Sequence, residues 1–209
     1  MSTAAREGPG RELALPGAAL RWWPDFLRED AAACLFEALR ADLPWRQQSI
    51  RMFGRWIAEP RLTSWHGDAG AAYRYSGRDN PPQPWTPPLE DLRERVGRIT
   101  GERFNSVLAN LYRDGADHMG WHADDEASLG PAPVIASVSL GADRRLQFRP
   151  RPRGPIALQV DLPAGSLLVM AGGTQQHYHH RIPRTARPVG PRINLTFRLV
   201  GAAEDTLAP

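Results

Sequence analysis

Two short segments of the chain contain the residue types that bind a metal ion. They are residues 121–124, with the sequence WHAD, and residues 177–180, with the sequence HYHH. In an extended chain, residues two apart point to the same side, so His122 and Asp124 can bind one ion together. A histidine from a distant strand would complete a set of two imidazoles and one carboxylate, which leaves metal positions open and suits non-haem Fe(II). An H-x-D triplet alone is common, so the hypothesis needs support from elsewhere in the sequence.

A second polar pattern lies in residues 192–198, with the sequence RINLTFR. If this segment is a strand, alternate side chains share a face, and the apolar ones belong against a core. The other face carries four polar side chains, which are Arg192, Asn194, Thr196 and Arg198. Two guanidinium groups and two neutral hydrogen-bonding groups suit a small dicarboxylate, although the solvated face of an ordinary amphipathic strand has the same pattern. Asn110 and Tyr112 form a further polar pair at strand spacing.

Two amphipathic helices and a run of short strands are predicted to position these residues. One apolar stripe follows Asp30 and ends at Pro44, and a second covers residues 89–99. From Phe104 onward, alternating apolar and polar residues are separated by turns that contain glycine or proline. The pattern predicts an α+β fold in which N-terminal helices back a double sheet or jelly roll.

Length, cysteine content and charge narrow the function classes. A chain of 209 residues and 23.2 kDa suits one domain, and residues 1–14 are predicted to form a flexible tail. Cys34 is the only cysteine, which excludes an intrachain disulfide and a thiolate metal cluster. No apolar run is long enough to cross a membrane, so we expect a cytoplasmic protein. All 26 basic residues are arginine and the isoelectric point is near 9.6, which is compatible with a polyanionic partner.

Residues 104–200 resemble the catalytic core of the AlkB-type Fe(II)- and 2-oxoglutarate-dependent dioxygenases. The matching motifs are N-x-Y-x-D-G from Asn110, H-x-D-D-E from His122, A-S-V-S from Ala136, H-R-I-P from His180 and R-x-N-x-T-x-R from Arg192. Residues 53–54, 67–70 and 73–77 resemble the substrate lid of the DNA-repair branch. The resemblance covers roughly residues 20–200, and the final arginine motif is its most specific part.

The resemblance implies a double-stranded β-helix (jelly roll) backed by the N-terminal helices. It implies one domain over residues 15–203, with a substrate lid at about residues 46–80. Fe(II) would be the metal, 2-oxoglutarate the co-substrate and oxygen the oxidant. By the same transfer, the co-substrate would be bound by Asn110, Tyr112, Arg192, Asn194, Thr196 and Arg198. Arg192 is expected to bind its far carboxylate, and Arg198 the end that chelates iron.

The metal ligands implied by the resemblance are His122, Asp124 and His180. The Ile-Pro pair at residues 182–183 sets this register along the chain. His179 is the alternative third ligand. It stands where the family usually has an aromatic residue just before the ligand, and a histidine at that position could itself bind the metal.

The resemblance also implies which side chains would contact a substrate base. These are Phe53 as a finger that fills the vacated stack, His66 (or its neighbour Trp65) as an aromatic wall, Tyr73, Tyr75 and Glu126. The expected activity is oxidative demethylation of 1-methyladenine and 3-methylcytosine in DNA, which releases succinate, CO2 and formaldehyde. The alternatives are the same chemistry on RNA, a non-catalytic nucleic-acid-binding relative, and a dioxygenase that acts on protein or lipid. We expect a monomer without membrane attachment.

Overall fold

The computed structural model describes residues 8–52, 54–71, 73–75 and 78–201. The helices are α1 (Glu29–Asp42), α2 (Pro87–Thr100) and the short α3 (Thr174–His177). The strands are β1 (Arg11–Glu12), β2 (Ala19–Trp23), β3 (Ser49–Met52), β4 (Arg55–Ala58), β5 (Leu62–Gly67), β6 (Tyr73–Tyr75), β7 (Arg78–Asn80), β8 (Ser106–Tyr112), β9 (Met119–His122), β10 (Ile135–Gly141), β11 (Arg144–Pro150), β12 (Leu158–Leu162), β13 (Leu167–Ala171), β14 (Tyr178–Ile182) and β15 (Arg192–Arg198).

Two antiparallel sheets form the body of the molecule. The large sheet has seven strands in the order β1-β2-β13-β10-β15-β8-β5, and the small sheet has four in the order β12-β11-β14-β9. Apolar side chains from both sheets, among them Ile135 and Met170 of the large sheet and Phe148 and Ile182 of the small one, form a shared core between them. A mostly β fold with few helices and antiparallel sheets agrees with the jelly-roll type predicted from the sequence.

Helices α1 and α2 cover the outer face of the large sheet. The apolar stripe of α1 buries Phe36 and Leu39, and that of α2 buries Leu92 and Val96, in a second core that includes Val138 of β10. Gly101 ends α2 in a left-handed conformation at φ 75°, as the predicted helix end requires. The large sheet therefore has one face against helices and the other against the small sheet, so its central strands are buried on both faces.

Burial on both faces explains why strands β10 and β15 alternate in polarity without having a solvated side. In β15, Ile193, Leu195 and Phe197 contact the helix core, and the four polar residues between them point into the space between the sheets. All seven residues of the strand are buried. In the neighbouring β10, Ser137 and Ser139 point inward in the same way. The alternative of a solvated amphipathic strand is therefore wrong for residues 192–198.

The N-terminal segment differs from the prediction of a loose tail over residues 1–14. From Gly8 onward it is joined to the sheet, because Arg11 and Glu12 pair with β2 and the indole nitrogen of Trp23 donates a hydrogen bond to the carbonyl of Gly8 at 2.8 Å. A two-residue strand has too short a pattern to stand out in a sequence rich in glycine and charge. Residues 1–7 lie outside the described residues.

The predicted lid contains two hairpins, one before and one after β5 along the chain. Strands β3 and β4 form one, and β6 and β7 form the other. Gly54 adopts a left-handed conformation at φ 78° in the first turn, which favours glycine at that position. In the described residues, none of the helices has the length and apolar character needed to cross a lipid bilayer.

The packing of β15 against the helices yields a stability prediction. Phe197 is fully buried, with its ring centroid 6.5 Å from that of Trp85 and 6.2 Å from that of Phe104. We expect Phe197→Ala to lower the free energy of unfolding by about 3–5 kcal/mol, because the cavity cannot be refilled. Leu199→Ala, at a position that is 41% exposed, should change it by about 1 kcal/mol or less. Urea denaturation measures both, and equal losses would contradict the packing described.

Candidate metal and co-substrate site

Strands β9 and β14 of the small sheet bring two histidines together. His122 and His180 are cross-strand partners, and their ring centroids are 4.2 Å apart. Asp124 follows β9 by two residues and turns toward the same point, with its Oδ2 3.6 Å from Nε2 of His180. One donor atom from each of the three side chains lies within 4.8 Å of the others. This spacing allows a single metal ion to be bound by all three residues.

Asp124 is held in place by contacts on both its backbone and its carboxylate. Its backbone N–H donates to Oε1 of Gln175 at 3.0 Å, and Nη2 of Arg198 donates to its Oδ1. Burial alone would raise the pKa of Asp124, but the positive charge of Arg198 first, and then the neighbouring imidazoles of His180 and His122, outweigh that effect and lower the pKa to about 2. The carboxylate is therefore ionised at neutral pH, which is the form that binds a metal cation.

The two histidines each direct a ring nitrogen to the candidate metal position. The carbonyl of Gly120 can only accept, so the contact of 2.9 Å to Nδ1 of His122 places the proton on Nδ1 and leaves Nε2 free to bind the ion. Burial first, and then the neighbouring His122, lowers the pKa of His180 to about 3, so its imidazole is neutral at pH 7. Phe148, the partner of His180 on β11, packs beside its ring at 5.9 Å between centroids.

The structure brings His180 rather than His179 to the candidate metal site. Neighbouring residues in a strand point to opposite faces, so His180 points between the sheets and His179 points to the outer face of β14. His180 is 5% exposed, whereas His179 is only partly buried and is absent from the three-residue cluster.

A buried cavity lies directly behind the metal site, between the two sheets. Its polar lining contains all six residues expected at the co-substrate, which are Asn110, Tyr112, Arg192, Asn194, Thr196 and Arg198. Strands β8 and β15 supply them in register, because Tyr112 is opposite Arg192 and Asn110 is opposite Asn194. We call this space the inner cavity. His180 and Asp124 line its metal end.

Arg192 is the most deeply buried charge of the inner cavity. Its Nη2 donates to Oγ of Ser139 at 2.9 Å, and its guanidinium carbon lies 5.4 Å from the centre of the Tyr112 ring. Nε and Nη1 have no hydrogen-bond partner among the described residues. Burial lowers the pKa of Arg192 to about 10, which still leaves it charged at neutral pH. Donors left without acceptors inside a protein indicate a missing anionic ligand.

Fe(II) and 2-oxoglutarate fit the residues that are present. A neutral His180, an ionised Asp124 and the free Nε2 of His122 form the two-histidine, one-carboxylate donor set. At the far end of the cavity, the unsatisfied guanidinium donors of Arg192 suit one carboxylate of the co-substrate. The distance from metal to guanidinium is spanned by the neutral groups of Asn194 and Thr196.

A second cavity opens toward the lid and shares the metal residues with the first. We call it the outer cavity. His122, Asp124 and Arg198 line both, and the outer cavity also includes Trp65 and Glu126. A ligand in the outer cavity would therefore lie against the same His122 and Asp124 that line the inner cavity. Glu126, predicted from the resemblance to contact a substrate base, is among the residues that line the outer cavity.

The structure places His66 differently from its predicted role. Thr63 and Trp65 of β5 line the outer cavity, while His66 points to the other face of the strand and is 2% exposed. Its ring nitrogens contact Oγ of Ser64 at 2.9 Å and the carbonyl of Pro84 at 2.8 Å. Burial lowers the pKa of His66, although the contact with Pro84 opposes the shift. Trp65, the alternative to His66, is the aromatic side chain at the cavity.

The remaining substrate predictions fall on parts of the lid that are described incompletely. Phe53 lies outside the described residues. Tyr73 and Tyr75 are the first and last residues of β6, but their side chains lie outside the description.

Three residues that complete the site had no role assigned to them from the sequence. Ser139 accepts from Arg192, Gln175 holds the backbone of Asp124, and Arg61 donates from Nε to Oδ1 of Asn110 at 2.9 Å. Ser139 was detectable, because it alternates with apolar residues in a predicted strand. Gln175 and Arg61 lie outside such alternation and contact the site only through the tertiary fold.

Comparison with known proteins gives matches across most of the chain. Residues 19–198 match the 2OG-Fe(II) oxygenase superfamily. The chain is 45% identical over 158 residues to the DNA oxidative demethylase ALKBH2 of Mus musculus, which covers 72% of this chain and 66% of that protein. It is 40% identical over 187 residues to the alpha-ketoglutarate-dependent dioxygenase alkB homolog 3 of Homo sapiens, which covers 85% of this chain and 65% of that protein. The chain thus spans slightly less than two thirds of each relative.

A solved structure supports the fold at a larger evolutionary distance. The structure of OsALKBH1 superposes with a TM-score of 0.61 at 18% sequence identity, over 90% of this chain and 100% of that one.

The geometry of β14 yields a prediction about metal binding. We expect His180→Ala to weaken Co(II) binding more than about 100-fold, since one of three protein ligands is lost, and His179→Ala to weaken it less than about threefold. Titration of the metal-free protein, followed by visible absorption of the bound Co(II), measures both. Stronger loss in His179→Ala would contradict the strand register.

Proposed function

This chain belongs to the 2OG-Fe(II) oxygenase superfamily, as an AlkB-type member, and we propose that it is an oxidative demethylase of N-alkylated bases in DNA. The observation that carries the proposal is the pair of cavities that meet at His122 and Asp124. The inner one suits a dicarboxylate, and the outer one has an aromatic wall at Trp65 and a carboxylate at Glu126. The relatives named as DNA oxidative demethylases support DNA as the substrate.

When bound, Fe(II) and 2-oxoglutarate supply the oxidising chemistry with O2, so that the co-substrate leaves as succinate and CO2 and a hydroxylated N-methyl group leaves as formaldehyde. His122, Asp124 and His180 would hold the metal, and Arg198 keeps Asp124 ionised and oriented. The protein thereby fixes the reacting centre at the boundary between the two cavities.

The side chains of the outer cavity bind and orient the base in this proposal. A methylated base that has left the helix would lie against Trp65, with its methyl group toward His122 and Asp124. Glu126, which lines the outer cavity, would accept a hydrogen bond from the exocyclic amine of adenine or cytosine. Aromatic stacking contributes about 1–3 kcal/mol per base, which is enough to hold a base whose pairing the methyl group has already broken.

The same proposal includes the finer description of the fold and of the protein's state. The seven- and four-stranded antiparallel sheets that face each other support a double-stranded β-helix. The shared core supports one domain over residues 15–203 with a lid at about 46–80. We also propose that the protein acts as a cytoplasmic monomer.

The function is tested by reconstitution under argon followed by addition of oxygen. The protein is loaded with Fe(II) and 2-oxoglutarate and given oligonucleotides that contain a single 1-methyladenine or 3-methylcytosine. We expect formaldehyde and succinate in equal amounts from methylated DNA, and no formaldehyde from unmethylated DNA or from the Asp124→Ala protein. Faster release from the matching RNA would favour the RNA alternative, and no release from any oligonucleotide would refute the proposal.

Trp65 and His66 lie on opposite faces of β5, so we expect their substitution to affect substrate binding differently. We expect Trp65→Ala to raise KM for a methylated oligonucleotide about tenfold or more, because a stacking contact worth at least ~1.4 kcal/mol is lost. His66→Gln, on the opposite face, should leave KM within about threefold. The Kd of 2-oxoglutarate should be unchanged in both variants. A larger increase in KM from His66→Gln than from Trp65→Ala would indicate that His66, and not Trp65, stacks on the base.

The predicted finger at Phe53 tests whether the substrate is a duplex. Holding a flipped base out of a duplex requires a few kcal/mol that a single strand does not demand. We expect Phe53→Ala to lower demethylation of duplex DNA about tenfold or more, which corresponds to ~1.4 kcal/mol of transition-state stabilisation. Activity on the matching single strand should fall less than about twofold. Equal losses on both substrates would indicate a packing role for Phe53.

A further inference from the structure

A buried ion pair lies in the wall between the inner and outer cavities. Nη2 of Arg61 is 3.0 Å from Oε2 of Glu59, and only 6% and 5% of the two side chains are exposed. Arg61 lines both cavities, whereas Glu59 lines the outer cavity. A charge pair so deeply buried, at a boundary between two ligand sites, is placed to act on both.

The second contact of Arg61 fixes the orientation of an amide. Its Nε donates to Oδ1 of Asn110 at 2.9 Å. A guanidinium has only donors, so the oxygen of the Asn110 amide must face it and the NH2 group must point elsewhere. Asn110 lines the inner cavity, where a carboxylate ligand needs a donor. Arg61 therefore selects between the two orientations that the amide could adopt.

The facing amide of Asn194 cannot donate to the carboxylate ligand. Asn194 is the cross-strand partner of Asn110, but its NH2 group already donates to Oγ of Ser137 at 2.7 Å and to the carbonyl of Val138 at 3.1 Å. Its amide oxygen accepts from Thr196 at 3.1 Å. Within the described residues, no hydrogen bond occupies the NH2 group of Asn110. Of the two amides, the one that Arg61 orients is the one available to a ligand.

We propose that Arg61 is a positioning residue for the co-substrate, which holds the Asn110 amide in the orientation that donates to 2-oxoglutarate. Glu59 in turn holds Arg61. The inference rests on the proposed function in that the inner cavity binds 2-oxoglutarate. If Arg61 is lost, the amide can turn and direct its oxygen at the carboxylate, and two acceptors then repel each other.

Stability alone does not account for the Glu59–Arg61 pair. A buried ion pair is on balance no more stabilising than apolar side chains that fill the same volume, because both charges must be desolvated. A role in orienting Asn110 gives the pair a use that apolar residues could not supply. Removing Arg61 by itself would also change the net charge of a buried pair, so the test neutralises both residues together.

The test compares the Kd of 2-oxoglutarate for Fe(II)-loaded proteins under argon, by calorimetry and without nucleic acid. The variants are Glu59→Gln/Arg61→Gln, Asn110→Ala and all three changes together. Arg145→Gln/Asp161→Asn is the matched control, since that ion pair of 2.7 Å lies on the outer face of the small sheet. We expect the Kd to rise about tenfold in Glu59→Gln/Arg61→Gln and in Asn110→Ala, with no further rise in the triple variant, and no change in the control. Arg61→Lys, which keeps a donor-only side chain, should stay within about threefold.

Three results would overturn the inference. One is a Kd for Glu59→Gln/Arg61→Gln within twofold of the unmodified protein, and another is a triple variant in which the two effects multiply, since Arg61 would then act independently of Asn110. The third is a parallel loss of Fe(II) affinity or of melting temperature, which would mark a general structural role. Failure of the unmodified protein to bind 2-oxoglutarate would instead refute the proposed function itself.

Discussion

The arrangement of the protein depends on one buried guanidinium for which the described residues supply no carboxylate partner. Arg192 lies between two sheets, 1% exposed, with Nε and Nη1 lacking hydrogen-bond partners in the part of the chain that the structure describes. Burying a charge without an opposite charge destabilises a fold by several kcal/mol. The helix core behind β15 supplies stability that offsets this burial, and the hydrogen bond to Ser139 of β10 orients the side chain.

The second buried arginine of the same strand face has a different partner and a different consequence. Arg198 donates to Asp124, so its charge is balanced by the carboxylate at the metal end. Arg192, six residues earlier in β15, has Ser139 and Tyr112 beside it instead. Asp124 therefore gives one end of the inner cavity a site for a cation, and Arg192 gives the other end a site for an anion. A dicarboxylate would bind the metal with one carboxylate and Arg192 with the other.

Much of this site could be predicted from the sequence, because alternation along a strand fixes which side chains share a face. It placed Arg192 with Asn194 and His122 with Asp124, but alternation cannot tell whether a polar face meets water or a cavity. The polar face of β15 borders a cavity because the small sheet covers it, and the position of that sheet cannot be predicted from a local sequence pattern. The error at His66 has the same origin, since the neighbouring Trp65 also carries an aromatic ring and only the register of β5 on β8 decides which one points inward. Arg61 follows a proline in a connection between strands, so its contact with Asn110 depends entirely on the tertiary fold.

The most direct test of the account is the stability of Arg192→Met with and without the co-substrate. The free energy of unfolding is measured by urea denaturation under argon, with Fe(II) present. We expect the variant without 2-oxoglutarate to be at least as stable as the unmodified protein, because an unbalanced buried charge has been replaced by an apolar chain. We also expect 2-oxoglutarate at one hundred times its Kd to stabilise the unmodified protein by about 2.7 kcal/mol, and the variant hardly at all at the same concentration. A variant that is less stable but still fully stabilised by the co-substrate would contradict the account, since Arg192 would then serve the fold and not the ligand.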